Sequence, residues 1–182
     1  MEKATFAGGC FWCTEAIFKR LKGVSSVSPG YSGGSIENPS YEQVCSGTTG
    51  HAESTQIEFD PEIIPFRTLL EVFFYTYDPT TPNQQGNDIG PQYRSAIFYH
   101  SKEQKTEAEK FIQKLTDEGV YQHPIITKIG EFKNFYIAED YHKNYFERNR
   151  EAPYCNFVIA PKIKKLLAEF GKEIKEEYKE DQ

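Results

Sequence analysis

The chain of 182 residues has the size of one domain, and its 38% hydrophobic and 26% charged residues exclude disorder over most of the length. The net charge of -6 disfavours nucleic acid and anionic membrane surfaces as partners, because both attract basic proteins. No apolar run approaches the roughly 20 residues that cross a bilayer, and the first residues lead into a strand-like segment instead of a signal peptide. We therefore expect a single domain over residues 1–182, in the cytoplasm and without a membrane partner.

The first half of the chain predicts strands and helices in alternation. Apolar side chains at helical spacing follow Cys10 and stop at Gly23, directly after a short strand at 4–7 that two glycines end. The further elements predicted here are an extended segment at 24–31, a polar loop at 30–39, a helical turn at 40–45 and a strand from Glu53 to Pro61. Cys10 is thus expected at a helix start, after a tight turn.

The second half predicts further helices and strands around another long loop. The elements are a helix at 66–77, a loop at 79–92, strands at 94–99 and 125–129, a helix at 101–118 capped by Ser101, a helical segment at 138–148 and a last helix from Pro161. Beyond Gly171 we expect a solvated helix end or a frayed tail. Strands and helices mixed in this way predict an α+β or α/β sandwich.

The segment GGCFWC at residues 8–13 holds the most informative chemistry. Cys10 follows a glycine turn at a helix start, where unpaired backbone N–H groups and the helix dipole favour thiolate over thiol. We therefore predict a nucleophilic Cys10 whose pKa lies below the free-thiol value of about 8.5. Cys13 falls on the same helix face, so the two thiols are expected to cycle between dithiol and disulfide.

Three other interpretations of this cysteine pair stay open. Both thiols suit small buried hydrophobic residues, since free cysteine is often buried. They also supply half of a zinc site, which would be completed from Cys45, His51, His142 or Cys155. A thioredoxin-like disulfide-exchange module is the third interpretation, although C-x-x-C follows a longer N-terminal region in that fold.

Five blocks of sequence carry a resemblance to a known family. In chain order they are TFAGGCFWCTEAIFKRLKGV, GYSGG, NPSYEQVCSGTTGHAE, GNDIGPQYRSAIFYH and FYIAEDYHKNYF. Together they resemble the peptide methionine-S-sulfoxide reductases, the A-type methionine sulfoxide reductases, from about residue 4 to about residue 165. The resemblance implies an α+β fold, a compact two-layer α/β sandwich of ferredoxin-like kind with long irregular loops. It also implies repair of oxidised proteins with electrons from thioredoxin and with neither an organic cofactor nor a metal. We expect a monomer.

The resemblance also assigns site residues and an activity. It implies reduction of the S epimer of methionine sulfoxide, free or in proteins, through a cysteine sulfenic acid and then a disulfide. The family's nucleophile falls on Cys10, its methyl-binding aromatic residues on Phe11 and Trp12, its oxygen partners on Tyr41, Glu53 and Tyr93, and its substrate- and water-supporting acid on Asp88.

These residue types suit the chemistry that the resemblance implies. A thiolate that attacks a sulfoxide sulfur cannot expel bare oxide, so the oxygen needs proton donors such as a carboxylic acid and phenols. Glu53 is then expected to be protonated near neutral pH, which burial favours. By position alone Glu53 would be a solvent-facing strand acid, the tyrosines core or rim residues, and Asp88 a turn former. Zinc binding or disulfide exchange needs no such donors, which separates those functions from a reductase.

The chain departs from the family pattern in its last segment and in one loop. Many relatives resolve the sulfenic acid with cysteines in a glycine-rich tail, but no cysteine follows Cys155 here. The resolving role therefore moves to Cys13, with Cys155 second and an external thiol third. Cys45 is expected to be buried and structural. Ile89 and Pro91 replace the Arg and Thr of many relatives, which affects the shape of that loop.

Two histidines have less definite roles. His51 either tunes Glu53 or caps the turn at Gly50, and the sequence does not separate these two roles. His142 has helical spacing to nearby aromatic residues, which predicts a packed structural histidine.

Overall fold

A six-stranded sheet organises the fold of the computed structural model, which describes residues 1–180. The strands are β1 (Glu2–Ala7), β2 (Val24–Ser32), β3 (Ala52–Phe59), β4 (Gln84–Gln85), β5 (Asp88–Ile89), β6 (Ala96–Tyr99), β7 (Lys128–Glu131) and β8 (Tyr136–Ile137). The order in the main sheet is β7-β6-β1-β3-β2-β8, and β4 and β5 form a separate two-stranded hairpin.

The main sheet is mixed. β3 pairs antiparallel with both β1 and β2, β6 pairs antiparallel with β1, and β8 antiparallel with β2, whereas β6 and β7 are parallel. One end of the sheet therefore contains the last residues of β1 and β2 and the first residues of β3, and Tyr31 lies opposite Glu53 there. The candidate site lies at this end of the sheet.

Helices pack against the sheet. They are α1 (Phe11–Phe18), α2 (Tyr41–Cys45), α3 (Phe66–Thr76), α4 (Lys102–Asp117), α5 (Tyr145–Arg148) and α6 (Ala160–Phe170). α6 contacts both α1 and α3, and α4 packs on α3 and β6. Phe6 of β1 stacks on Phe18, Phe66 and Phe73 with ring centroids 5.4, 5.9 and 4.9 Å away, which joins the sheet to α1 and α3. Within residues 1–180 no helix combines the length and the apolar character needed to span a membrane.

Several predicted elements are confirmed, and others differ from the prediction. The predicted cap of α4 is confirmed, because the hydroxyl of Ser101 accepts the N–H of Gln104 at 3.1 Å. The strand predicted at 125–129 lies instead at Lys128–Glu131. The helix predicted at 138–148 is broken by Asn144, whose φ of 52° is left-handed and whose N–H donates to Glu15 Oε1 at 2.9 Å. That bond bends the chain onto α1.

The last helix begins earlier than predicted. A π-helical turn at Cys155–Ile159 runs directly into α6, so Pro161 lies inside a continuous helical segment instead of opening it. Proline has no N–H for the preceding turn, and a wide turn accommodates its ring, which accounts for the irregular geometry here.

The segment after α6 packs against the turn that follows α1, in contrast to the solvated or frayed tail expected. Ile174 is fully buried and bridges to Leu21, and the N–H of Lys175 donates to the carbonyl of Arg20 at 2.9 Å. Two short 3-10 turns, Gly171–Glu173 and Glu176–Tyr178, carry the chain along this contact. The last two residues of the predicted domain, 181 and 182, lie outside the described residues.

Candidate active site

A glycine turn sets the position of Cys10. β1 ends at Ala7, and Gly9 follows with a φ of 73°. A Cβ on Gly9 would lie 2.8 Å from the Cβ of Gln85, so this position requires glycine for both conformation and space. Cys10 then occupies the N-cap position of α1, where its backbone is extended and only 7% of its surface is exposed. The predicted turn before a cysteine at the helix start is confirmed.

Glu53 lies beside Cys10 in the interior, not on a solvent-facing strand surface. It is 2% exposed, and its Oε2 accepts the N–H of Phe11, the first amide of α1, at 3.0 Å. Burial raises the pKa of Glu53 to about 8, helped by the charges of Asp88 and Cys13 and opposed by the Phe11 amide. Glu53 therefore carries a proton at neutral pH and can act as an acid.

Two phenols contribute to the same site. Tyr41 is the first residue of α2, and Tyr93 is the last residue of a 3-10 turn. The backbone carbonyl of Tyr93 accepts the N–H of Gly9 at 3.3 Å. Burial, and next the charge of Glu53, raise the pKa of both phenols above its usual value, so both remain proton donors. The backbone N–H of Tyr41 donates to Glu139 at 3.2 Å, a carboxylate that sequence reasoning missed.

The predicted low pKa of Cys10 is not supported. Burial raises the pKa of the Cys10 thiol well above its usual value, and its hydrogen bond to Cys13 and the charge of Glu53 act in the same direction. The backbone of Trp12 opposes this only weakly, and the Phe11 amide is already bonded by Glu53. The favourable end of α1 therefore acts mainly on the carboxyl group instead of the thiol.

The pKa of Cys13, in contrast, is lowered. The Cys10 thiol hydrogen bond lowers the pKa of Cys13, burial opposes it, and Lys162 and Tyr154 lower it further. Cys13 is 3% exposed, and its backbone N–H donates to the Cys10 carbonyl at 3.1 Å. The pKa values of the two buried thiols are therefore linked, because each thiol affects that of the other through their hydrogen bond.

An aromatic wall borders the two cysteines. Trp12 stacks on Tyr145 with centroids 3.7 Å apart, and its indole N–H donates to Nδ1 of His142 at 3.0 Å. Because an indole is only a donor, Nδ1 of His142 is unprotonated, and burial lowers the pKa of this histidine. Phe11 is fully packed against Tyr31 and His142. His142 is packed as predicted, and it also holds Trp12 in place.

Asp88 connects to the cysteines through a residue that sequence reasoning missed. The hydroxyl of Tyr154 donates to Oδ2 of Asp88 at 2.6 Å and lies 3.7 Å from Sγ of Cys13. The ring of Tyr154 is edge-on to Trp12, with centroids 5.7 Å apart. Nothing in the sequence marks this tyrosine among 12, because its partners are 66 and 141 residues away.

The remaining cysteines and His51 differ in burial and role. Cys45 is exposed, so the expected buried structural role is wrong, whereas Cys155 is fully buried beside Tyr154. His51 accepts the N–H of Gly34 at Nδ1 and bonds the Ile36 carbonyl at Nε2, which fixes the loop after β2. Among the described residues no three His, Cys, Asp or Glu side chains form a metal-binding group.

The arrangement brings a buried dithiol, a protonated carboxyl group and two phenols together beside an aromatic wall. Such a set can attack an electrophilic sulfur and donate protons to an oxygen bound to it.

Comparisons with known proteins give a consistent picture. The model of the family described as "Peptide methionine sulfoxide reductase" matches residues 2–175. A protein of Sulfolobus acidocaldarius named "Peptide methionine sulfoxide reductase MsrA" is 56% identical over 170 residues, 93% of this chain and 96% of that one. The crystal structure of Mxr1 from Saccharomyces cerevisiae in reduced form superposes with a TM-score of 0.77 at 36% identity, covering 85% of this chain and 88% of that one. Mxr1 in complex with Trx2 gives a TM-score of 0.55 at 28% identity, covering 79% of this chain and 84% of that one.

Proposed function

The chain belongs to the peptide methionine sulfoxide reductase family, and from this premise we propose that it reduces the S epimer of methionine sulfoxide, free or in proteins, to methionine. The observation that carries the proposal is the protonated Glu53, buried on the Phe11 amide beside the Cys10 thiol. A disulfide-exchange or zinc module has no use for a carboxyl group kept neutral there.

The first step joins Cys10 to the sulfoxide. The Cys10 sulfur attacks, the oxygen passes to Cys10 as a sulfenic acid, and methionine leaves; the substrate sulfur is reduced while Cys10 is oxidised. Glu53 gives its proton to the oxygen and takes the thiol proton of Cys10, with which it interacts directly. Tyr41 and Tyr93 donate hydrogen bonds to the oxygen.

Phe11, Trp12 and Asp88 are the substrate-binding residues that we propose. Trp12 is only partly buried, and its flat indole suits an apolar methyl group. The bond that the indole donates to His142 and the stacking on Tyr145 hold it rigid. Phe11 is buried and supports this wall from behind. Asp88 lies on the hairpin that borders the cysteines and supports the substrate and water from the polar side.

The second step forms a disulfide between Cys10 and Cys13. Cys13 is supported as the resolving thiol by its lowered pKa and by its place one helical turn from Cys10. Cys155 is the alternative resolving thiol, because it is buried near Cys13. Burial, and next the charge of Cys13, raise the pKa of Cys155.

Thioredoxin is the proposed reductant of this disulfide, supported by the similarity to Mxr1, which has a structure in complex with Trx2. The partners are then thioredoxin and oxidised proteins or peptides. The chemistry uses thiols, a carboxyl group and phenols, and it calls for neither an organic cofactor nor a metal.

We also infer a ferredoxin-like arrangement of the central elements. Its support is the antiparallel order β6-β1-β3-β2, with α1 joining β1 to β2 and α3 joining β3 to β6. A single catalytic domain, a monomer and a cytoplasmic location complete the proposal. The location is supported by the small number and scattered spacing of the four cysteines, which do not suit a secreted disulfide scaffold.

The substrate assignment predicts a strict stereochemical preference. NADPH oxidation coupled through thioredoxin reductase and thioredoxin is to be measured with the separate S and R epimers of a methionine sulfoxide substrate. We expect turnover with the S epimer and none above background with the R epimer. Equal turnover of both epimers, or of the R epimer alone, would contradict the proposed reaction.

The assignment of Cys13 predicts a stalled enzyme when this thiol is removed. Cys13→Ser is expected to produce one equivalent of methionine and then to stop with thioredoxin, because the first step needs only Cys10. Rapid-quench methionine analysis and peptide mapping of the wild type after one turnover measure both steps. Full thioredoxin-dependent turnover in Cys13→Ser, with a Cys10–Cys155 linkage in the wild type, would move the role to Cys155. Cys155→Ser is the matched control and is expected to keep turning over.

A further inference from the structure

Cys13 has to lose a proton inside the protein. When its sulfur attacks the sulfenic acid on Cys10, the thiol proton must leave, yet Cys13 is only 3% exposed and has little access to water. A buried donor of this kind needs a protein acceptor within reach.

Tyr154 is that acceptor. Its hydroxyl lies 3.7 Å from Sγ of Cys13 and 2.6 Å from Oδ2 of Asp88, to which it donates. A phenol has one proton, so while it donates to Asp88 it offers its lone pairs to the S–H group of Cys13. While Tyr154 donates to Asp88, the only bond open to the S–H group of a protonated Cys13 at this contact is one that it donates to Tyr154.

The geometry holds this chain of bonds in place and connects it to solvent. The Tyr154 ring is edge-on to Trp12 at an angle of 80°, which restricts the direction of its hydroxyl. Asp88 is only partly buried, on the two-stranded hairpin at the edge of the site. A proton that reaches Asp88 can therefore pass to water, whereas one on Cys13 cannot do so directly.

We propose that Tyr154 and Asp88 form a proton relay for Cys13, in which Tyr154 takes the thiol proton and passes its own to Asp88 during disulfide formation. The inference rests on the proposed function and adds a catalytic role for Tyr154. The S–S bond forms as the S–O bond of the sulfenic acid breaks, and the hydroxide leaves as water with the proton of Glu53. Cys10 is reduced and Cys13 is oxidised, so no outside oxidant takes part.

The charges around Cys13 support the relay. The titratable or charged groups that face it are Cys10, Glu53, Asp88, Tyr154, Cys155 and Lys162. The Cys10 thiol is the first cause of the lowered pKa of Cys13, and it is absent once Cys10 is a sulfenic acid. The charge of Lys162 lowers the pKa of Cys13 in both states, so the sulfur can release its proton. Burial, and next the charges of the two cysteines, raise the pKa of Tyr154, so the phenol transfers a proton without remaining ionised.

Tyr154→Phe tests the relay by separating the two chemical steps. The enzyme is mixed with saturating S-epimer sulfoxide in the absence of thioredoxin, and methionine, dimedone-trapped sulfenic acid and the Cys10–Cys13 disulfide are followed against time. We expect the disulfide to form at least about 10-fold more slowly in the variant than in the wild type, with sulfenic acid accumulating. The rate in the variant should rise with pH, since hydroxide must replace the relay, and change less with pH in the wild type.

Two further variants make the outcome decisive. Asp88→Asn removes the final acceptor and is expected to slow disulfide formation with the same pH response. Tyr77→Phe removes another buried phenol, which contacts Thr127 at 3.4 Å, and is expected to form the disulfide at the wild-type rate. A wild-type rate in Tyr154→Phe, or a slowing with no pH response, would overturn the relay. Failure of the wild type to form any methionine would instead overturn the proposed reductase function.

Discussion

Replacing Cys10 by serine is expected to abolish methionine sulfoxide reduction, with no methionine formed even in a single turnover. Cys10 is the thiol that lies beside the protonated Glu53, and a serine hydroxyl is too weak a nucleophile to attack a sulfoxide sulfur. Serine has nearly the size of cysteine at this helix cap, so the fold is expected to persist. Rapid-quench analysis of methionine at stoichiometric enzyme measures the effect, and circular dichroism monitors the fold.

Cys45→Ser is the matched control for this variant. Cys45 is exposed, and a hydroxyl in its place keeps a polar partner for Tyr41, so methionine formation is expected to continue. Methionine formation by Cys10→Ser at a rate near that of the wild type would remove Cys10 as the nucleophile. The raised pKa of Cys10 also predicts slow alkylation of the free enzyme below pH 9, unlike an activated surface thiol.

Local patterns in the sequence were sufficient for most of the elements around the site. Glycine at a positive φ ended β1, a serine capped α4, and periodic apolar residues marked α3 and α4. Such signals act within a few residues, so a sequence contains them directly. The break at Asn144 depends on a bond to Glu15 across the molecule, and a pattern of local spacing does not include it.

The pKa shifts at the site could be predicted only in part, because they depend on contacts between residues far apart in the sequence. The raised pKa of Glu53 follows from burial, which the resemblance implied and the position of β3 produces. The helix-start argument for Cys10 was wrong because burial raises the pKa of its thiol, and because the Phe11 amide bonds Glu53, a residue of β3. Tyr154 and Glu139 reach the site over long sequence separations and had no local signal.

Glu53→Gln is expected to slow the chemical step by about 10²- to 10⁴-fold, the usual contribution of a general acid, with little change in substrate binding. Glutamine keeps the size of the side chain and an oxygen for the Phe11 amide, but it has no acid proton for the sulfoxide oxygen. Single-turnover rates at saturating sulfoxide measure the step. Tyr41→Phe and Tyr93→Phe are expected to have smaller effects singly than together, because two phenols share one oxygen.

The pH dependence gives a second, independent measure of Glu53. Its folded-state pKa of about 8 lies above the ordinary 4.5, so the wild-type step should slow as pH rises through 8. The stability that the protonated Glu53 contributes is complete below pH 4.5 and is lost as pH rises toward 8. Glu53→Gln has no such group, so its free energy of unfolding in urea should fall less than that of the wild type between pH 5 and 8. The same pH dependence in both proteins would mean that Glu53 is already ionised, and the acid would then have to be one of the phenols.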